Sequence, residues 1–234
     1  MYNVFIKEKG DKYMGLDMYL KKVKRVKGAS AKDIDNLENY FDWLERDSQY
    51  EKCSLKDWCG IDGRSIKKSL VEAYKDEYVT RFFEWDKERK YGHKMLFEYI
   101  TSWRKANQIH SWFVKNVQGG VDDCEVYEVS REKIEELLEI CNKVLTASVL
   151  KDGKIRNGWR CKDGVMEEII EDGQYICDSS VAEELLPTSS GFFFGSCDYD
   201  QWYYQDVNYT REILEQVLAE TDFEKEMICY RSSW

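Results

Sequence analysis

The strongest constraint on the fold is a helical stripe that follows Ser130. Apolar residues recur there every three or four positions, which places them on one face of an α-helix. They are Ile134, Leu137, Leu138, Cys141, Val144 and Leu145. A helix with one apolar face gains most of its stability by packing that face against other elements. The rest of the chain must therefore supply a layered core around this segment.

Four further segments show the same period and carry residues that start or stop helices. The predicted helices run from Ser30 to about Arg46, from Ser65 to about Tyr78, over roughly 93–117, and onward from Thr210. With the helix after Ser130, they make the chain mostly helical.

Shorter segments carry the marks of strands. Leu16, Met18 and Leu20 alternate with polar residues, so they share one face of an extended segment. The other predicted strands are a short one at 125–130, a β-meander over 151–178, and "GFFFGS" at 191–196 between glycines.

Three Asp-Gly pairs determine the shape predicted for residues 151–178. They lie at 152–153, 163–164 and 172–173, and Asp-Gly is typical of two-residue turns. We therefore expect an exposed meander with a turn at each pair. Taken together, the elements predict the α+β class, as a helix-dominated single domain over residues 1–234 with a small antiparallel β-sheet or meander.

Composition and charge narrow the function classes. Hydrophobic residues make up 43% of the 234 positions and there is one proline, which is typical of a folded globular chain. No apolar run approaches the roughly 20 residues of a membrane span. A net charge of −10 argues against direct nucleic-acid binding, which needs cations to displace phosphate counterions. We expect a soluble, intracellular protein with no direct nucleic-acid or membrane partner.

The charge is unevenly distributed. Residues 1–27 hold eight Lys or Arg against three acids, and residues 198–226 hold nine acids against two bases. Both runs are consistent with solvated surface. Alternatively, the acidic half forms a polar protein–protein surface that attracts a basic partner.

The cysteines do not indicate a metal site. Eight are present, but no CxxC pair occurs, and Cys53 and Cys59 have no matching pair downstream. Structural zinc requires two closely spaced pairs of ligands. We predict reduced, mostly buried thiols, no metal and no cofactor.

The first candidate site lies on the predicted helix 93–117. Trp103, Asn107 and His110 are spaced i, i+4 and i+7, so they share its inward face, and Arg104 lies at the rim. In one interpretation, Asn107 and His110 brace neighbouring backbone, because a buried amide or imidazole needs hydrogen-bond partners. In the other, they line a pocket in which Trp103 offers a flat ring and His110 a proton.

The second candidate site is "DDC" at 122–124. Adjacent carboxylates such as Asp122 and Asp123 can bind a divalent cation or divide acid and base roles. Cys124 and His110 are a conceivable nucleophile–base dyad. The simpler interpretation is an ordinary turn and strand entry, because neighbouring side chains in a strand point to opposite faces.

The third candidate is the aromatic and acidic segment 191–206. Its phenylalanines fit a central strand in the core, whereas its C-terminal part forms a candidate interaction surface. The residues of that surface are Trp202, Tyr203 and Tyr204 together with Asp198, Asp200 and Asp206.

Six short segments of the chain have unusual sequences and follow one another in a definite order. They are "MGLDMYL" (14–20), "WRKANQIHSWFV" (103–114), "DDC" (122–124), "LPT" (186–188), "GFFFGS" (191–196) and "SSW" (232–234). Together they resemble a family of uncharacterised small acidic proteins encoded by bacteriophages and prophages. In this comparison residues 1–13 are an N-terminal extension that makes Met14 an alternative start, and residues 53–93 are an insertion.

The resemblance implies a context rather than a set of catalytic residues. It suggests an accessory protein in the host cell cytoplasm that acts as a counter-defence factor by binding and inhibiting a host protein without catalysis. One alternative is a binder that sequesters a small nucleotide signal at Trp103, Asn107 and His110. A third is a hydrolase that uses His110 with Asp122, Asp123 or Cys124.

Overall fold

The computed structural model describes residues 15–46, 55, 66–77, 79–81, 93–162, 164–191 and 194–234. In chain order the elements are β1 (Asp17–Lys24), α1 (Ala31–Arg46), α2 (Lys68–Tyr74), β2 (Val79–Arg81), β3 (His93–Met95), β4 (Glu98–Arg104), α3 (Asn107–Asn116), β5 (Tyr127–Val129), α4 (Arg131–Ala147), β6 (Leu150–Lys162), β7 (Val165–Ile176), α5 (Ser180–Leu185), α6 (Gln201–Glu220) and β8 (Glu226–Ser233). The predicted α+β class is confirmed, and the described residues include more helix than strand. The predicted extension 1–13 and most of the predicted insertion 53–93 lie outside the described residues.

A four-stranded antiparallel sheet forms the centre, with the strands in the order β4-β1-β8-β5. Side chains of β8 alternate between its two faces. Ile228 and Tyr230 belong to one buried cluster, whereas Met227 and Cys229 belong to another. Both faces of the sheet are therefore covered, which explains why the four consecutive residues 227–230 of β8 are all apolar.

Helices form a layer on each side of this sheet. The larger cluster joins the sheet to α3, α4, α5 and α6, and it contains Leu16, Met18 and Leu20, as their alternation predicted. The smaller cluster joins the opposite face to α1 and α2. No helix in the described part of the chain is long and apolar enough to cross a membrane.

Two of the predicted helices begin where their caps indicated. The hydroxyl of Ser30 accepts a hydrogen bond from the backbone N–H of Asp33 at 3.2 Å, and α1 ends at Arg46. Ser130 caps α4 in the same way, accepting from the N–H of Lys133 at 3.3 Å. Satisfying these otherwise unpaired donors is what makes serine a start signal.

The predicted helix over 93–117 is wrong. Residues 93–104 form β3 and β4, and only Asn107–Asn116 are helical. Residues 98–104 pair with β1, and their aromatic and β-branched side chains suit a strand. Lys105, at φ 62°, then turns the backbone into α3.

The last helix begins earlier than predicted. It starts at Gln201, because the side chain of Asp200 accepts hydrogen bonds from the N–H groups of Trp202 and Tyr203. Thr210 lies inside α6, where its hydroxyl donates to the carbonyl of Asp206 at 2.7 Å. A threonine in mid-helix can satisfy its hydroxyl in this way, so its presence does not mark a helix start.

Two other predicted elements changed extent. The helix predicted from Ser65 to Tyr78 occupies Lys68–Tyr74. The "GFFFGS" segment is no strand at its described positions, 191 and 194–196, which lie in a loop, and positions 192–193 lie outside the described residues.

The predicted meander is a single long hairpin of β6 and β7. The Asp-Gly pairs 152–153 and 172–173 lie within the strands, where Gly153 and Gly173 face each other, and Asp163 of the third pair lies outside the described residues. The side chains of Ile155 and Tyr175 lie where Cβ atoms on those glycines would be. These glycines therefore make room for crossing side chains instead of forming turns.

Candidate functional site

Asn107 is buried at the first position of α3, where its side chain holds a loop. Its Oδ1 accepts from the N–H of Ser189 at 2.8 Å. Its Nδ2 donates to the carbonyls of Phe194 and Ser196 at 3.0 and 2.8 Å. Asn107 is 1% exposed, and its amide forms three hydrogen bonds with this loop. Asn107 therefore fastens the loop between α5 and α6 to the start of α3.

His110 is equally buried and both ring nitrogens are engaged. Nδ1 lies 2.8 Å from the hydroxyl of Tyr230, and Nε2 lies 3.0 Å from Oδ2 of Asp122. The imidazole and the ring of Phe194 are nearly perpendicular, with 5.2 Å between their centroids. The other oxygen of Asp122 accepts from the indole N–H of Trp234 at 3.2 Å. This chain of contacts joins α3 to the segment after it and to the end of β8.

The two adjacent carboxylates do not converge. Asp122 faces His110, whereas Asp123 accepts hydrogen bonds from the hydroxyl of Tyr127 at 2.9 Å and the N–H of Glu125 at 3.1 Å. The nitrogens of His110 face Tyr230 and Asp122 rather than Cys124. Within the described part of the chain, no group of three or more His, Cys, Asp or Glu residues could hold a metal ion.

Trp103 lies on β4, so it does not share a helix face with Asn107 and His110. Its buried indole N–H donates to the hydroxyl of Thr210 on α6 at 3.0 Å. Arg104 points to the surface and its Nη1 lies 3.5 Å from a carboxylate oxygen of Asp17. The four residues of the first candidate site therefore lie close in sequence but form four separate sets of contacts.

A polar pair between α3 and α6 was not expected from the sequence. The amide of Gln108 donates to Oδ2 of Asp206 at 3.3 Å. Burial raises the pKa of Asp206 to about 7, because desolvation disfavours the charged carboxylate more than the hydrogen bond favours it. The carboxyl group therefore titrates near neutral pH.

A second buried polar cluster lies on the opposite face of the sheet. Lys21 is 3% exposed, and its ammonium group lies 5.3 Å and 4.7 Å from the ring centroids of Phe97 and Tyr99. Desolvation lowers the pKa of Lys21. The carboxylate of Glu38 accepts hydrogen bonds from the N–H groups of Leu96 and Phe97 at 2.7 and 2.9 Å. This cluster attaches α1 to the turn between β3 and β4.

The six residues of the third candidate site do not form one surface. Asp200 is the cap of α6, and Tyr203 is 4% exposed with its hydroxyl donating to the carbonyl of Leu186 at 2.9 Å. Tyr204 packs against the larger core cluster and Asp206 pairs with Gln108. Of its three aromatic residues, only Trp202 is largely exposed, at 47%.

A prominent exposed feature of the described residues, the far part of the β6–β7 hairpin, was not predicted from the sequence. We call residues 156–162 and 164–170 the arm. Strand register places six of its side chains on one face, because directly paired residues and residues two apart share a face. This arm face consists of Arg156, Trp159, Cys161, Met166, Glu168 and Ile170.

The arm face is unusually apolar for an exposed surface. Trp159, Met166 and Ile170 are 53%, 58% and 51% exposed. The guanidinium of Arg156 lies 5.7 Å from the ring centroid of Trp159 and pairs with Glu168 at 3.2 Å. A two-stranded ribbon is marginal by itself, and contiguous exposed apolar groups mark interaction sites.

The base of the arm adjoins the loop that Asn107 holds. Arg156 forms two hydrogen bonds with the carboxylate of Asp198, at 3.0 and 2.9 Å. A cleft of about 300 Å³ lies at this junction, and Tyr175, Tyr199 and Asp200 form part of its wall. The loop, the cleft and the arm face are therefore continuous.

A sequence signal for the arm existed. Trp159 and Cys161 alternate with basic residues, and Met166, Glu168 and Ile170 have the same period. Assigning turns to all three Asp-Gly pairs divided these residues among short strands and concealed the shared face.

No protein-family model, curated protein or solved structure matches the chain. The function must therefore be inferred from the geometry of the molecule.

Proposed function

We propose that this protein binds a partner protein without catalysis and that the arm face is its principal contact surface. The supporting observation is the exposure of Trp159, Met166 and Ile170 side by side on a two-stranded ribbon. Tryptophan is enriched among the residues that dominate binding energy, and methionine adapts to irregular partner surfaces. Covering this face would bury apolar area that water now contacts.

The partner proposed is a host protein. The resemblance of six sequence pieces to phage-encoded proteins supports an accessory, counter-defence role in the cytoplasm of a bacterial host. The net charge of −10 supports a partner with a basic surface, since opposite charge speeds association and excludes wrong partners.

The positions of Asn107 and His110 favour binding through the arm over the two alternatives. Each is 1% exposed, and their polar atoms are hydrogen-bonded to the protein itself. A nucleotide pocket or a hydrolytic centre would need some of these atoms to face a ligand.

Paired substitutions of exposed tryptophans test this proposal. Trp159 lies on the arm face, whereas Trp202 lies on α6 and is exposed to a similar degree, 53% against 47%. The tagged wild type, Trp159→Ala and Trp202→Ala are used to capture proteins from a bacterial lysate, and the captured protein is then purified and titrated against each variant. We expect Trp159→Ala to weaken binding by at least about 2 kcal/mol, the size of an interface hot spot. Trp202→Ala should bind as the wild type does.

Two results would contradict the proposal. One is loss of binding on Trp202→Ala with Trp159→Ala unaffected, which would move the contact to the acidic helix α6. The other is turnover of any substrate by the purified protein that depends on His110, since that group is internal to the fold.

A further inference from the structure

The cleft at the base of the arm contains a buried carboxylate oxygen that the fold leaves unused. Asp200 is 3% exposed and its Oδ1 caps α6 by accepting from two backbone N–H groups. Its Oδ2 is shielded from water and has no hydrogen-bond partner within the described residues. A buried acceptor without a donor is unfavourable, more so when it is charged, so positive charge placed in the cleft beside Asp200 would be favourable.

The groups around this oxygen carry an excess of negative charge. Arg156 is already committed to Asp198 and Glu168, and Lys154 pairs with Asp172 at 2.7 Å. These two cations therefore leave the carboxylate of Asp200 without a counter-charge. Burial raises the pKa of Asp200, and the nearby carboxylate of Asp198 raises it further.

The shape and chemistry of the cleft select one kind of cation. The cleft has a volume of about 300 Å³, and the aromatic residues Tyr175 and Tyr199 form part of its wall. A planar guanidinium can stack on such rings while its fork of N–H donors reaches carboxylates, whereas an ammonium acts as a point charge. The side chains of Glu168 and Asp198 are 45% and 39% exposed, so they meet an entering cation before Asp200 does.

We propose that the cleft receives an arginine side chain from the partner protein, with Asp200 at its floor and Glu168 at its rim. This inference rests on the proposed function, because the arginine belongs to the protein that covers the arm face. Glu168 and Arg156 lie on the arm face and also line the cleft, so one partner can contact both. The arginine would pair with the exposed carboxylate of Glu168 and bring positive charge close to the buried carboxylate of Asp200, next to the apolar contact with Trp159.

The test needs no partner. The probe is N-acetyl-arginine N-methylamide, and the corresponding citrulline and lysine compounds are its controls. Each is titrated into the full chain while backbone amide resonances are followed by NMR. The arginine probe should shift the amides of Tyr175 and Asp200 saturably, with a Kd in the millimolar range expected for one side chain. Citrulline, which has the same shape without the charge, and lysine should each bind about tenfold more weakly or not measurably.

Two matched variants locate the site. Asp200→Asn retains a good helix cap but replaces Oδ2 by a donor, and should weaken the arginine probe about tenfold. Asp178→Asn changes an exposed aspartate outside the cleft, which accepts from the N–H of Ser180. This variant should bind the arginine probe as tightly as the wild type does. Glu168→Gln, which does not touch the helix cap, should also weaken binding and serves if Asp200→Asn fails to fold.

Three results would overturn the proposal. The arginine probe could fail to shift the amide resonances of the cleft residues, or the citrulline or lysine probe could bind as tightly as the arginine probe. The third is that Asp178→Asn weakens binding of the arginine probe as much as Asp200→Asn does. None of these results affects the comparison of Trp159→Ala with Trp202→Ala, which tests partner binding by the arm face separately. Conversely, loss of partner binding by Trp202→Ala alone would contradict the arm while the probe titration still reports on the cleft.

Discussion

Removing the amide of Asn107 should destabilise the fold through one loop. Asn107→Ala deletes three hydrogen bonds, to the N–H of Ser189 and to the carbonyls of Phe194 and Ser196. A typical intramolecular hydrogen bond contributes about 0.5–1.5 kcal/mol net. Ser196 is exposed and Ser189 half-buried, so water can replace part of what is lost. We therefore expect the free energy of unfolding to fall by about 2–3 kcal/mol, below the sum of three full penalties.

Asn107→Asp is a second test of the same hydrogen bonds. The carboxylate can still accept from Ser189, but its second oxygen would face the carbonyls of Phe194 and Ser196, to which Asn107 now donates. A carboxylate oxygen and a carbonyl oxygen repel each other at hydrogen-bond distance. This nearly isosteric change should therefore lower the free energy of unfolding at least as much as Asn107→Ala does.

Urea unfolding with an unchanged m-value measures both variants, because a shift of midpoint at constant slope reports stability alone. Asn116→Ala is the matched control, since its amide donates only to the carbonyl of Trp112 within the same helix, at 2.9 Å. It should cost less than about 1 kcal/mol. Amide exchange should also accelerate in the loop around Ser189 and Ser196 in the Asn107 variants. The reasoning is refuted if Asn107→Ala costs no more than Asn116→Ala.

Three further variants test other buried polar groups. His110→Ala should lower the free energy of unfolding by about 1–3 kcal/mol by leaving partners unpaired, while the folded variant binds its partner normally; a fully stable variant that cannot bind would contradict this. Thr210→Val removes the acceptor of the Trp103 indole N–H and should cost about 1–3 kcal/mol in urea unfolding, whereas wild-type stability would show that this bond contributes nothing. The pKa of Asp206 is raised to about 7 in the fold, so its protonated form favours folding and stability should fall as pH rises from about 4 through 7. Asp206→Asn should flatten that dependence between pH 5 and 8 in the same assay, and an unchanged slope would assign it to other groups.

Local signals predicted the parts of the fold that depend on local physics. A serine that satisfies free N–H groups indicated where α1 and α4 begin, and a period of two indicated β1. These patterns need no knowledge of what lies across the core. The class followed, because such elements leave few ways to bury their apolar faces.

The errors arose where distant contacts override local preference. Residues 98–104 are compatible with a helical period, but pairing with β1 makes them a strand. Gly153 and Gly173 resemble turn residues, yet each accommodates a side chain from the opposite strand. Neither fact can be read from a window of ten residues, because the partner lies well outside such a window.

The buried polar residues that drew notice in the sequence and the exposed arm that did not are parts of one arrangement. Asn107 holds the loop that carries Ser196, and two residues later Asp198 pairs with Arg156 at the base of the arm. The next helix starts at the cap Asp200, which lines the cleft beside them. Rigid support of this kind lowers the entropy that a contact surface loses on binding, so a buried amide far from the partner can still serve recognition. Under the proposed function, Asn107 and His110 therefore support the contact surface and are not part of it.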